Sequence, residues 1–354
     1  GQLTVSYNAL NTLFQSSNVE IISLFNTMQS YRPIISQRLG TGLHEDPDLA
    51  QQGYTDGYGR NQQDVLIPAF IAAYTGQDPE SIDLDVFNTP WKPNWRLTYN
   101  GLSRLPMFRD IFSSFNISHG YRSTFTINNY RTSFTYLASL SDPENPGLDK
   151  VTYNYYPRIE IPDVLIQENF APLLAIEVQT QTGLSMNFDY KQSRALALSV
   201  TSKLLSETRT KEVVAGFGYV VQGVNIPFLT GERGGGRRGG RNNDDEDDQA
   251  NNSRNTNRGR QGRSGGRLQG QDLDIQFNFS FRDDITVAQK LDQNLFEPTR
   301  GSLAISLSPS VEYQISRSLS LRAFVDYRRT VPKNSAGFPR TDASGGIVVR
   351  FQLN

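Results

Sequence analysis

Cysteine is absent from all 354 residues. That excludes disulfide staples, thiolate nucleophiles and cysteine-ligated zinc. Histidine is scarce: the two, His44 and His119, lie far apart in sequence and argue against a histidine-rich metal site. No run of about 18 apolar residues occurs, so no helix of this chain spans a bilayer. Mean hydropathy is −0.49. Barrels that cross membranes with strands show equally weak hydropathy, so this absence leaves them open. An excess of one charge is also missing. The formal net charge is −1, from 35 Lys and Arg against 36 Asp and Glu, which gives no global pull toward nucleic acid. Tryptophan numbers only two, yet 16 Tyr and 20 Phe bring aromatics to 11%. Interfacial girdles of membrane barrels use such residues, and so do many soluble β proteins.

What the chain has is alternation. From Leu273 to Arg282, Leu273, Ile275, Phe277, Phe279 and Phe281 are apolar, and Asp274, Gln276, Asn278, Ser280 and Arg282 are polar. A strand sends successive side chains to opposite faces, so this segment needs an apolar environment on one side and water on the other. In a sandwich the apolar face is the core. In an outer-membrane barrel it meets lipid, and the polar face lines the lumen. On the barrel reading, Leu273, Ile275, Phe277, Phe279, Phe281, Leu303, Ile305 and Leu307 are lipid-facing, whereas Asp274, Gln276, Asn278, Ser280 and Arg282 are lumen-facing.

Similar patterns recur along the chain. Leu3, Val5 and Tyr7 read as a strand at the very start; with no initiator Met before Gly1, the chain is expected to be a piece of something larger or a processed product. Residues 11–91 read as a helix and loop insertion. Asn18 is placed to cap a helix carrying Ile21, Ile22, Leu24, Phe25 and Met28. Pro33 is expected to end or kink it. Residues 41–63 read as loop, and Val65–Tyr74 as a short apolar segment that packs against a barrel wall or inside a lumen. Strands are expected around Trp95–Tyr99, Phe115–Asn128, Thr132–Ala138, Leu174–Gln179, Leu184–Tyr190 (the pattern recovers at Leu196, Leu198 and Val200, so a strand past 20 residues is expected), Val213–Val221, Leu303–Ile315, Leu319–Arg328 and Gly345–Leu353. Residues 140–170, rich in Pro, Asp and Asn, read as irregular. Thr182-Gly183 signals a tight turn. Gly231–Gly270, dense in Arg and Gly with an acidic run Asp244–Asp248, holds too little apolar surface to offset its ordering entropy and reads as a disordered loop.

Candidate chemistry is thin. The Arg/Gly block lacks interleaved aromatics and neutralises its own charge, so a solvated loop is favoured over RNA binding. His119 sits on an apolar face without a nucleophile beside it and reads as structural or interfacial. Asp283 and Asp284 are adjacent on an extended chain, face opposite ways and make poor acid/base partners. Glu45, Asp46 and Asp48 are weak calcium candidates without the Gly and terminal Glu of an EF-hand loop. No catalytic, metal or cofactor site is expected, and no enzyme.

Several longer stretches carry a resemblance. Pro93–Leu102 (PNWRLTYNGL), Phe115–Phe125 (FNISHGYRSTF), Val65–Gly76 (VLIPAFIAAYTG), Ser193–Thr208 (SRALALSVTSKLLSET) and Ser280–Asp292 (SFRDDITVAQKLDQ, read on to Gln293) resemble the C-terminal region of the SprA/Sov family. These are outer-membrane translocons of the Bacteroidetes type IX secretion system, associated with gliding motility and surface protein export. The resemblance implies an all-β fold: the C-terminal strands of a very large antiparallel transmembrane β-barrel, in a class whose largest members reach about 36 strands, with a short helical insertion near the N-terminus. It implies about ten strands here, too few to close such a pore. The partners it implies are the remainder of the barrel, a PorV-like outer-membrane protein, a periplasmic plug and other secretion components, exported folded cargo and outer-membrane lipid, with no nucleic acid. The rival readings are another outer-membrane barrel, such as a TonB-dependent transporter, and a soluble β-sandwich with a binding role. Counting strands back from a last strand that ends in the periplasm places Asn354, the Ser316–Ser318 turn and Gly231–Gly270 in the periplasm, and loops 293–301 and 331–343 outside.

Overall fold

In a computed structural model, the described residues are 1–5, 18–88, 93–142, 146–224, 226, 271–293, 296–316, 318–334 and 337–352. Their alternating segments pair into one ten-stranded antiparallel sheet. Its strands are β1 (Leu3–Val5), β2 (Trp95–Tyr99), β3 (Phe112–Asn128), β8 (Asp163–Thr180), β9 (Leu184–Ser199), β10 (Leu204–Val224), β11 (Gln271–Lys290), β12 (Phe296–Ser316), β13 (Leu319–Pro332) and β14 (Arg340–Phe351). From β8 onward each strand pairs with the next in sequence. Apart from the connection between β10 and β11, this meander needs only short reversals. At one of them Gly183 takes φ +87, a left-handed conformation that glycine adopts without the Cβ clash. Four short strands form two small ribbons: β4 (Arg131–Thr132) with β7 (Ile159–Glu160), and β5 (Leu148–Asp149) with β6 (Asn154–Tyr155). Among the described residues the sheet is open. β14 ends one side, and β1 and β2 both pair with β3 on the other.

The helices α1 (Asn18–Leu39), α2 (Pro47–Gln51) and α3 (Gln63–Thr75) form a subdomain on one face of the sheet. α3 is apolar all round and buried along nearly its whole length, as expected of a helix enclosed on every side. Its start is capped by Gln62, whose side-chain oxygen accepts from the backbone N–H groups of Asp64 (2.6 Å) and Val65 (3.2 Å). Gly76 ends it at φ +67. Leu66, Phe70 and Tyr74 join Met28 and Ile35 of α1 over Phe125, Ile127, Val164, Ile166, Leu196, Leu198 and Leu205 of the sheet.

Several sequence expectations are corrected. Thr132–Ala138 is not one strand: only Thr132 lies in β4, and Phe134–Ser139 is a helix, α4, capped by Ser133, whose Oγ accepts from Tyr136 N–H at 3.1 Å. Residues 140–170 are not irregular throughout. β8 begins at Asp163, directly after Pro162, and pairs along both edges with β3 and β9. Of the two outcomes expected at Pro33, an end or a kink, the end does not occur: α1 continues to Leu39. The stretch 41–63 contains α2, capped by Asp46, whose Oδ1 accepts from Asp48 N–H at 2.9 Å. β9 stops at 16 residues; β10 and β12 are the strands that reach 21. Loop 293–301 shrinks, since β12 starts at Phe296, and β14 begins at Arg340, inside the expected loop 331–343. The expected strand residue Tyr7, the loop Gly231–Gly270 and Asn354 lie outside the described residues.

Candidate functional site: an apolar belt on one face of the sheet

Strand register turns separate alternations into a surface. One row of Cα partners runs Tyr99–Ile117–Ile176–Phe188–Ala215–Phe279–Leu307–Tyr327–Ala343, from β2 to β14, and contains no charged residue. Two rows further along the same face, Leu184–Tyr219–Ile275–Val311–Ala323–Ile347 is equally apolar. All eight residues assigned by sequence to lipid share this face: Phe281 pairs with Ile305, Phe279 with Leu307 and Asp283 with Leu303, while Leu273, Ile275 and Phe277 follow in the same alternation. Asp274, Gln276, Asn278, Ser280 and Arg282 share the other face, paired with Glu312, Ser310, Ser308, Ser306 and Ala304. That face is polar beyond β11 as well, as in the row Asn116–Glu177–Asn187–Gly216–Asn278–Ser308.

The apolar surface is uncovered. Met186, Phe188, Phe217, Phe277, Val311, Val325, Ile347, Val349 and Phe351 are 37–70% exposed. Single exposed apolar residues are ordinary, but a contiguous set across adjacent strands marks a surface built for something other than water. The belt has limited height. On β11 it spans Leu273–Phe281 and ends at Asp283; on β10 it spans Val213–Val221 and ends at Lys211. About nine residues at roughly 3.3 Å each match the 9–11 residues, tilted about 45°, that a strand needs to cross a bilayer.

Above the belt, toward the helical subdomain, the same face changes chemistry. Trp95, Tyr121 and Phe170 occupy one partner row and continue to Gln192 and Lys211. Trp95 stacks on Tyr121 with centroids 4.6 Å apart. His119 joins this cluster: its Nδ1 lies 2.7 Å from Leu173 O and its ring 5.5 Å from that of Phe170, in keeping with a structural role. One level higher, Glu168, Arg194 and Arg209 are row partners, with Glu207 diagonal to them. All four are buried. Arg194 and Arg209 face each other directly, an arrangement that by itself repels. Glu207 Oε1 resolves it by accepting from both guanidinium Nε atoms, at 2.9 and 2.5 Å. Tyr121 donates to Glu168 Oε1 at 2.6 Å, and Arg194 lies 5.4 Å from the centre of the Tyr74 ring on α3. Two acids against two bases leave the cluster neutral, which burial demands. Sequence reading missed it, because the four residues span 42 positions and only register unites them.

The other sequence candidates are dispersed. Asp283 pairs with Lys333, whereas Asp284 accepts from Ser302 Oγ at 2.9 Å on the opposite face. Asp46 is occupied in capping α2, and no group of three acidic, His or Cys residues suited to a metal ion occurs among the described residues. A cleft of about 920 Å³ lies beside α3, lined by Arg60, Asn61, Arg131, Lys203 and Asp292 among others. Two ion pairs cross its lining: Lys203 Nζ lies 3.3 Å from Asp292 Oδ2, and Arg131 Nε lies 2.7 Å from Glu160 Oε2, holding that carboxyl below its usual range. No family model and no curated protein matches this chain.

Proposed function

We propose that this chain is a wall segment of an outer-membrane β-barrel, with its belt in lipid and its Ser-, Asn- and Asp-rich face lining an aqueous lumen. The observation that carries the reading is the uncharged row crossing nine strands at one height, backed by a polar row on the reverse face. A sandwich core would cover such a belt, yet here only its upper neighbour is covered, by the helical subdomain. The resemblance to the SprA/Sov family supplies the finer reading, a channel that exports folded cargo by type IX secretion. In that channel the wall is passive. Its hydrated face offers mixed weak dipoles and both charge signs, and so holds no single cargo tightly.

The ends of the sheet support one orientation. The reversal at 181–183 and the ends of β12 and β13 at Ser316 and Leu319 lie at one end, opposite the helical subdomain and the connection 129–162. Outer-membrane barrels keep short turns periplasmic; with these two reversals as the guide, and against the long connection between β10 and β11 that leaves from the same end, the helices are put at the cell surface. Site-specific crosslinkers at Gln276 and Asn278 should capture cargo in transit, and crosslinkers at Phe277 and Phe279 should not. Cargo captured from the phenylalanine positions instead would place the lumen on the wrong face and sink the reading.

A further inference from the structure

The connection from β2 to β3 ends the belt in an unusual way. Residues 100–111 form a short 3₁₀ turn at Leu102–Arg104 followed by further turns. Leu105, Met107 and Ile111 are 43%, 75% and 53% exposed. The segment sits at the short-turn end, since Gln181 N–H donates to Ile111 O at 3.0 Å. It is also turned toward the apolar face. Phe108 lies 5.8 Å from Phe112, and Phe112 lies 5.3 Å from Phe115 edge to face. Phe115 pairs with Val178 inside the belt, so an aromatic ladder runs from this connection onto the lipid-type surface. Arg104 and Arg109 lie among the exposed apolar residues and are themselves exposed, Arg109 Nε standing 3.4 Å from Asp110 Oδ1 at the same surface.

We propose that residues 102–111 are an interfacial foot. Leu105, Met107 and Ile111 dip into the acyl boundary of the periplasmic leaflet, and Arg104 and Arg109 meet its lipid phosphates. The inference rests on the membrane reading of the belt. Its physical basis is continuity with that belt and the pairing of apolar tips with flanking cations, the composition that holds a segment in the headgroup plane. A soluble turn of this length gains nothing from three exposed large apolar residues.

The absence of cysteine makes the test clean within this chain. In the intact protein, with any cysteines outside this chain replaced, nitroxide labels are placed singly at Met107→Cys, Phe277→Cys and Asn278→Cys. The protein is reconstituted into phosphatidylethanolamine–phosphatidylglycerol vesicles, and collisions with oxygen and with a water-soluble nickel chelate are measured. The expected result is a Met107 label that favours oxygen over nickel several-fold relative to Asn278, at a shallower depth than Phe277. In the background Arg104→Glu with Arg109→Glu, it should move toward water. A Met107 label that meets nickel as freely as Asn278, while Phe277 stays protected, overturns the foot and leaves the belt intact. Protection of Met107 from both reagents marks a protein contact there and also overturns the lipid assignment. Nickel access at Phe277 removes the membrane reading, and the foot with it.

Discussion

At the scale of single residues, neighbours on one strand have opposite environments. Phe277 stands 42% exposed in the middle of the belt, and Asn278 pairs with Gly216 and Ser308 on the polar face. We predict that Phe277→Arg costs roughly 2–4 kcal/mol if the belt lies at the bilayer midplane, whereas Asn278→Arg is nearly neutral. Urea titration of the reconstituted protein checks both; equal effects would count against the two-faced assignment. The buried quartet makes a different demand. Glu207→Gln leaves Arg194 and Arg209 facing each other with half the balancing charge. Breaking a buried pair in this way costs about 3–5 kcal/mol, while the exposed Glu297→Gln should stay within about 0.5 kcal/mol. Thermal unfolding of the two variants separates these outcomes.

At the scale of elements, the helical subdomain is held by burial rather than by helix propensity. α3 contributes an apolar surface on every side, and the sheet supplies Ile166, Leu196, Leu198 and Leu205 beneath it. One acid in its first turn bears a cost. Burial lifts the Asp64 carboxyl above its ordinary value of 3.8, against hydrogen bonds from Gln62 and Gln63 that lower it. The folded form therefore holds its proton more tightly than the unfolded chain. Stability from this group is fully present below the unfolded value and is lost as pH rises through the folded one. Asp64→Asn should abolish that decline, giving a flatter melting temperature from pH 3.8 upward. A steeper decline in the variant would show that the charge is stabilising at the helix start.

At the scale of the whole molecule, the meander needs no crossover, and its one long connection joins strands already side by side. Val224 pairs with Gln271, so the ladder between β10 and β11 does not depend on the Arg/Gly-rich residues 231–270. On the proposed barrel reading, deleting them with a short Gly/Ser bridge should leave a heat-resistant barrel in the outer membrane; loss of the barrel would refute a passive role. The two strands open this connection at the short-turn end, which the proposed orientation makes periplasmic. Trypsin added to intact cells should therefore spare these arginines and cut them once the periplasm is opened. Cleavage in intact cells would invert the orientation.

Much of the sheet was legible in the sequence because its signal is local. A period of two puts Leu273 to Phe281 on one face whatever surrounds them, and the same rule found β3, β9, β10 and β12–β14 in outline. It failed where a competing local signal won: Ser133 capped a helix over an apparent alternation, and Asp- and Pro-rich flanks hid the start of β8. Which residues share a face was readable for the same reason, one strand at a time. Only the tertiary structure decided that these stretches lie at a common height, since hairpin register, not composition, aligns Ile176 with Phe188, Ala215, Phe279 and Leu307. It alone assembled Glu168, Arg194, Glu207 and Arg209, and it alone placed α3 on the apolar face just above the belt. Contacts between segments distant in sequence leave no periodic trace in any one of them, so the alternation was open to reading and the surface it builds was not.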